Sequence, residues 1–414
     1  MFEAAVDAVV PARCLPPFLP DAASVAGDIV VIGAGKAAAE MARIAGQHFG
    51  SRARGLVVTR YGHTADGPVS PSIDVVEASH PVPDAAGQQA AARMIDMVTG
   101  LGQDDLIICL LSGGGSALLS APAAGLTLAD KQAVTGALLR SGATISEINC
   151  IRKHLSAVKG GRLAIAAAPT PLLTLAISDV PGDDPAVIAS GPTVADPTTF
   201  KDAEDFLLKY GISEPQKVLD HIRAARDETP TADDPGLVNA QFQMIATPAA
   251  ALKAAADLAR DAGYLPVMLG DDLEGESRDV AATHATLALD YQAKGKRLAI
   301  LSGGETTVTI RDGAASIGRG GPNAEYALGL AVALEGAHGI SAIACDTDGI
   351  DGSEDNAGAI IAPDSVKRAL GQGLKAREYL EGNDSYGFFE ILGDLVLTGP
   401  TRTNINDFRA ILVD

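Results

Sequence analysis

Tryptophan is absent from the 414 residues, and aromatic side chains together make up only 4% of them. The core must therefore be built from small residues, chiefly the abundant Ala and the 45 Gly, which let backbones approach closely. Cysteine is scarce as well: Cys14, Cys109, Cys150 and Cys345 lie far apart, and Cys109 and Cys345 fall inside the apolar runs "IICLL" and "AIACD". That pattern reads as buried thiols, not as a disulfide framework or a metal-ligand cluster. Positive charge is in deficit, since 32 Lys and Arg against 52 Asp and Glu leave a formal net charge of −20. So acidic a chain is a poor electrostatic partner for nucleic acid or for an anionic membrane, and its acidity serves solubility. No apolar run reaches membrane-spanning length, and no basic segment precedes a short apolar one as in a leader. A soluble, cytoplasmic protein is expected, without nucleic acid or membrane as partner.

What is present is a rhythm. Short β-branched or Leu-rich runs recur at "DIVVIG" (28–33), "GLVVT" (55–59), "IDVVEAS" (73–79), "DLIICLLSG" (105–113) and "PLLTLAIS" (171–178). Ala-rich stretches at helical spacing, such as 35–49, 85–99 and 129–141, lie between them. Strand and helix in alternation predict an α/β fold with a parallel sheet covered on both faces. The length exceeds that of a usual single core, so two domains are expected. The polar stretch "RDETPTADDPG" (226–236) marks the boundary, which divides the chain into 1–233 and 234–414. Beyond it, "AAALKAAADLARDAGY" reads as helix, "RLAILSG" and "ISAIACDTDG" as strands, and "LVLTGPTRTNINDFRAILV" as two strands around a turn.

Three strand ends run into glycine: "VIGAGKAAA", "LLSGGGSALL" and "LSGGETT". At the carboxyl ends of parallel strands such loops hold ligands, because bare backbone admits an anion and the following helix favours it. Ser112, Gly113, Gly114, Gly115 and Ser116 are candidate phosphate-binding residues, and Gly303, Gly304 and Glu305 form a second candidate junction. Gly33, Gly35 and Ala38 also match the G-x-G-x-x-A spacing of a dinucleotide site. The acid that should close the next strand is missing, however; "GLVVTRYG" ends in Thr59 and Arg60. Arg60 leaves room for a 2′-phosphate, so a nicotinamide cofactor is disfavoured without being excluded. Lys36, beside the first loop, suits neutralising a transferred phosphoryl group or gripping a carboxylate.

Acidic residues gather in turns. "AISDVPGDDPAVIASGPT" (176–193) offers Asp179, Asp183 and Asp184, and "ACDTDGIDGSEDNAG" (344–358) offers Asp346, Asp348 and Asp351. The second is not a calcium loop, since its third acid comes one position late and Ala357 stands where a bidentate Glu belongs. Carboxylates at strand ends facing phosphate loops suit Mg²⁺, which takes one or two carboxylates plus phosphate oxygens. In "IGRGGPNAEYALGLA" (317–331), Arg319 stands among glycines before a helix that begins with Asn323 and Glu325, suited to bidentate anion recognition. His80, in "EASHPVPDAAG", is a candidate acid or base, or a turn histidine bonded to backbone.

Taken together, "VIGAGKAAAEMA", "SHPVPDAAG", "LLSGGGSALL", "ISDVPGDDPAVIASGPT", "GRGGPNAEYALGLA", "DTDGIDG" and "TGPTRTNIND" resemble, in order, the motifs of the class II glycerate 2-kinases. Some members of that MOFRL-domain family carry the label hydroxypyruvate reductase. The resemblance spans nearly the whole chain. It implies an N-terminal Rossmann-like domain, a C-terminal α/β MOFRL domain and an active site in the cleft between them. It further implies ATP-dependent phosphorylation of D-glycerate to 2-phosphoglycerate with Mg²⁺, with Lys36 and Arg319 as the family's functional cations. On this reading Asp179 is the candidate base and Asp183 and Asp346 are candidate Mg²⁺ ligands, the roles of Asp179 and Asp183 being left open. A homodimer is compatible with it. Two other readings stand: an NAD(P)H-dependent hydroxypyruvate reductase with His80 as proton donor, and a non-catalytic sensor of sugar phosphates.

Overall fold

The run Ile29–Ala34 forms β1 with every residue buried, as a strand covered on both faces must be. In this computed structural model, which describes residues 1–310 and 318–414, β1 lies inside a six-stranded sheet. Its companions are β2 (Ala53–Arg60), β3 (Ile73–Ala78), β4 (Leu106–Leu111), β5 (Leu172–Ile177) and β6 (Ala240–Ala246). The order is β3-β2-β1-β4-β5-β6, and β1 to β5 pair in parallel, with Ile32 opposite Leu56 on one side and Cys109 on the other. The strand order reverses between β1 and β4, which makes the carboxyl ends of those two strands the topological switch point. Each of the five runs read as strands from sequence is a strand, and helices at Ala38–Phe49, Ala85–Val98 and Leu128–Ser141 fill the stretches between.

A group of helices branches off this sheet. Leu128–Ser141, Ile145–His154 and Phe200–Lys209 each start on a Thr capping box, at Thr127 with Asp130, Thr144 with Glu147 and Thr199 with Asp202. With Gln216–Ala224 they enclose a core of their own that includes Val134, Leu138, Ile151, Phe200 and Ile222.

The remaining strands are β7 (Leu265–Met268), β8 (Glu274–Glu276), β9 (Leu298–Ser302), β10 (Glu305–Thr307), β11 (Ile340–Asp346), β12 (Gly358–Ile361), β13 (Leu395–Val396) and β14 (Asp407–Val413). Six of them make a mixed sheet ordered β13-β12-β11-β14-β9-β7, and β8 and β10 pair separately. Its core is Ala-rich, with Ala281, Ala285 and Ala288 of one helix among the same buried residues as Ala324, Ala327 and Ala331 of another. The terminal run expected as two strands around a turn supplies β13 and β14, but they do not pair with each other. β13 joins β12, and β14 sits between β11 and β9.

The chain divides into Pro11–Ile245 and a unit of Met1–Val10 with Ala246–Asp414. The boundary expected at 233/234 is thus displaced, because β6 (Ala240–Ala246) still completes the first sheet beyond the polar stretch 226–236. The first ten residues join the other unit, where Phe2 meets Phe408 with ring centroids 5.9 Å apart. All four cysteines are free and buried, and burial pushes the Cys109 thiol up to about 12. Among the described residues no helix is long and apolar enough to cross a membrane.

Candidate active site

The glycine loops after β1 and β4 meet at the switch point. Ser112, fully buried, accepts a hydrogen bond from Ala37 N at 3.0 Å, and Lys36 N donates to Gly113 O at 2.8 Å. Glycine is required where they touch: Gly35 has φ +142°, and a Cβ there would lie 2.1 Å from Ser112 Oγ. Gly114 turns the second loop at φ +79°, with the His80 ring and the Lys36 side chain packed beside it. The N–H groups of Gly113 and Gly114 meet no backbone acceptor among the described residues.

Asp179, just after β5, completes this rim. Burial raises its carboxyl above the ordinary aspartate range, and the opposing charge of Lys36 pulls it partly back. Lys36, His80, Gly113–Gly115 and Asp179 therefore gather at the carboxyl ends of β1, β3, β4 and β5. Asp183 follows in the next turn with φ +54° and a buried Oδ1 that has no hydrogen-bond partner. Thr59, where a dinucleotide site would carry an acid, turns its hydroxyl to Lys36 O and His63 O.

One participant escaped the reading from sequence. Lys159, in "AVKGGR", is 2% exposed, and its Nζ donates to Ser116 O at 2.6 Å and to Ser116 Oγ at 3.2 Å. Ser116 Oγ is also 2.7 Å from Ser190 Oγ, so the serine that closes the glycine loop is tied to two partners. Ala189 and Ser190 are held at φ +52° and +61°, a strained conformation for residues with side chains. The available signal was a lysine directly before a Gly-Gly turn; in the sequence it reads as an ordinary surface lysine. A separate cavity of about 890 Å³ beside Arg162, Lys217, His221 and Asp227 includes none of the rim residues.

In the other unit, the candidates divide. At the Gly303–Gly304 turn the N–H groups of Gly303 and Glu305 donate to Gly270 O and Leu273 O, and Arg409 Nη1 donates to Gly303 O at 2.9 Å. That junction is closed by protein groups, although the Glu305 side chain is exposed. Arg319 is exposed: its Nη2 lies 2.6 Å from Glu354 Oε2, and its guanidinium stacks 3.9 Å from the Tyr386 ring centre. Ile317, which opens the Arg319 motif, lies outside the described residues. Asp346 accepts from Asp348 N at 2.9 Å and so shapes its own turn. Asp351 is fully buried at the start of the helix Pro322–Leu334, accepting from Asn323 N and Ala324 N at 2.9 and 2.8 Å. Burial, reinforced by the charge of Asp407, pushes its carboxyl up to about 7. Among the described residues no group of three or more His, Cys, Asp or Glu is placed to hold a metal ion.

Two family models match the chain: a domain of unknown function, DUF4147, over residues 1–223, and the MOFRL family over residues 298–407. A protein of Agrobacterium vitis with hydroxypyruvate reductase in its name is 51% identical over all of this chain and 93% of its own length. The D-glycerate 2-kinase of Thermotoga maritima is 38% identical, over 97% of this chain and 94% of its own. The crystal structure of glycerate kinase from Thermotoga maritima superposes with a TM-score of 0.89 at 37% identity, covering 100% of this chain and 97% of that one.

Proposed function

Because the chain belongs to the glycerate kinase family that joins a DUF4147 domain to a MOFRL domain, we propose that it is a glycerate 2-kinase acting on D-glycerate and ATP. The observation that carries this reading is the rim at the β1/β4 switch point, where an ammonium and a carboxyl group face a loop of bare backbone. Phosphoryl transfer asks a protein chiefly for positioning and charge neutralisation. Gly113 and Gly114 present N–H groups to phosphate oxygens, and Lys36 neutralises charge as the phosphoryl group moves to the 2-hydroxyl. Asp179, its carboxyl raised by burial, takes the proton that this hydroxyl loses. Arg319, its guanidinium exposed, exchanges the Glu354 carboxylate for a substrate anion, which a forked donor grips in the same way.

Kinases of ATP use Mg²⁺, and the first unit's acidic turn fits one. The orphaned Asp183 Oδ1 supplies a carboxylate oxygen in need of a partner. One carboxylate with phosphate oxygens is a usual Mg²⁺ set, and the ion would spread charge over the transferred group. Asp346 is already committed to its own turn and fits this role less well.

The name of the Agrobacterium relative favours a second reading, reduction of hydroxypyruvate with NAD(P)H. Thr59, bonded to Lys36 O, stands in the place of the ribose-binding acid and opposes it. Purified protein with D-glycerate and Mg-ATP is expected to form ADP, and with hydroxypyruvate and NAD(P)H to leave the absorbance steady. Absorbance loss without ADP formation would reverse the assignment.

A further inference from the structure

Lys131 lies on the inner face of the helix Leu128–Ser141, in line with Val134 and Leu138 at the spacing of a core stripe. It is 7% exposed, and its Nζ has no hydrogen-bond partner. Three more cations come from the adjoining segment. Arg152 and Lys153 belong to the helix Ile145–His154, and Lys159 follows in the next turn. Only Lys153 has a carboxylate, with Nζ 3.1 Å from Asp196 Oδ1. Arg152 reaches Asn149 Oδ1 at 3.5 Å, and Lys159 Nζ reaches only oxygens of Ser116 and Ala189. Lys131, Arg152 and Lys159 are therefore buried or half-buried without an anionic partner among the described residues.

The four groups sense one another. Burial first, and then repulsion by Lys131, Arg152 and Lys153, holds Lys159 well below the ordinary lysine range. Burial and the charge of Arg152 bring Lys131 down to about 7. Isolated charges in a low-dielectric interior are strongly unfavourable, and apolar residues of similar length are the more stable choice in an empty core. In a chain of net charge −20, lysines so placed shed their protons unless an anion arriving from outside holds them charged.

We infer that Lys131, Arg152 and Lys159 form a pocket for the polyphosphate tail of a nucleotide. Lys159 joins it to the glycine loop, since its Nζ is bonded to Ser116 O at 2.6 Å. Half-exposed Arg152 marks the entrance and offers a forked donor to phosphate. A nucleotide tail has charge for all three cations, whereas the carboxylate of a small hydroxy acid matches one. That the polyphosphate is a nucleotide's rests on the kinase reading; the anion pocket itself does not.

The test uses the full chain with Lys131→Met and Arg152→Gln, each titrated with ADP by calorimetry. Affinity for ADP is expected to fall roughly 10- to 100-fold in each variant, as for lost charge-assisted bonds. KM for ATP should rise, KM for D-glycerate should stay within about twofold, and the ligand-free Tm of Lys131→Met should increase because a buried amine without a partner is gone. Unchanged ADP affinity in both variants overturns the proposal, as does a Tm loss in Lys131→Met with affinity intact. Inorganic tripolyphosphate separates the pocket from the nucleotide. Wild type that binds it while Lys131→Met does not, with ADP bound by neither, keeps the pocket and discards the kinase reading. Wild type that binds tripolyphosphate no better than the variants removes the pocket.

Discussion

At Lys36 backbone and side chain do separate jobs. The N–H ties the first glycine loop to Gly113 O, while the ammonium opposes the raised carboxyl of Asp179. Lys36→Met keeps the first and removes the second. It is expected to lower kcat by roughly 100-fold or more, the scale of losing one transition-state charge partner, with Tm little changed. Turnover within a few-fold of wild type would show that the charge is not used. Asp179 sets the pH profile. A base works ionised, so kcat/KM should fall as pH drops through a pKa above the ordinary aspartate value of 3.8. That acid limb should move to higher pH in Lys36→Met, where the opposing cation is gone, and vanish in Asp179→Asn. That Gly, Lys and Asp stand at these strand ends was legible in the sequence, because strands and the turns that end them are local patterns. Lys159 was not, since nothing in "AVKGGR" says that its amine is buried against Ser116.

Elements start and stop where local chemistry tells them to. Thr199 accepts from Asp202 N, and Asp202 reaches back to Thr199 N at 2.9 Å. Thr199→Ala should therefore cost about 1 kcal/mol in a urea melt. The helix Pro322–Leu334 is capped differently, by the buried Asp351 carboxyl with its pKa near 7. A carboxyl raised in the folded state holds its proton more tightly there than when unfolded. Its contribution to stability is thus greatest below about pH 4 and is lost as pH rises to about 7. The stability deficit of Asp351→Asn relative to wild type should be larger at pH 5 than at pH 8. An equal deficit at both would show that the Asp351 carboxyl is not raised. Periodicity revealed the strands and the Ala-rich helices but not the pairing of β13 and β14. Two strands around a turn look like a hairpin until their partners are known.

Across the whole molecule, composition and connectivity pull in different directions. The chain is acidic overall yet leaves Lys131, Arg152 and Lys159 without a carboxylate partner among the described residues, and its first ten residues fold with its last. Phe2 is 6% exposed, and Val9 O accepts from Thr403 Oγ1 at 2.9 Å. Phe2→Ala should destabilise the unit containing 246–414 by about 3 kcal/mol. Amide exchange should quicken there and not in 11–245, and uniform quickening in both units would contradict the division. The domain boundary was misplaced in the sequence for a related reason. A polar, Pro-rich stretch marks exposed chain, and exposure alone does not say whether another strand of the same sheet follows.

By itself the sequence determined the class of fold, the strands with their glycine exits, the buried state of Cys109 and Cys345, and a motif order specific enough to point to a family. These are local properties, set by hydrophobic period and by what bare backbone allows. Only the tertiary structure decided that the loops after β1 and β4 hydrogen-bond to each other, that the Gly303–Gly304 junction is filled by protein, and that Lys131 and Lys159 lie in the interior with no carboxylate partner among the described residues. Those depend on which distant segments meet, because a charge is costly or useful according to what surrounds it, and its surroundings come from elsewhere in the chain.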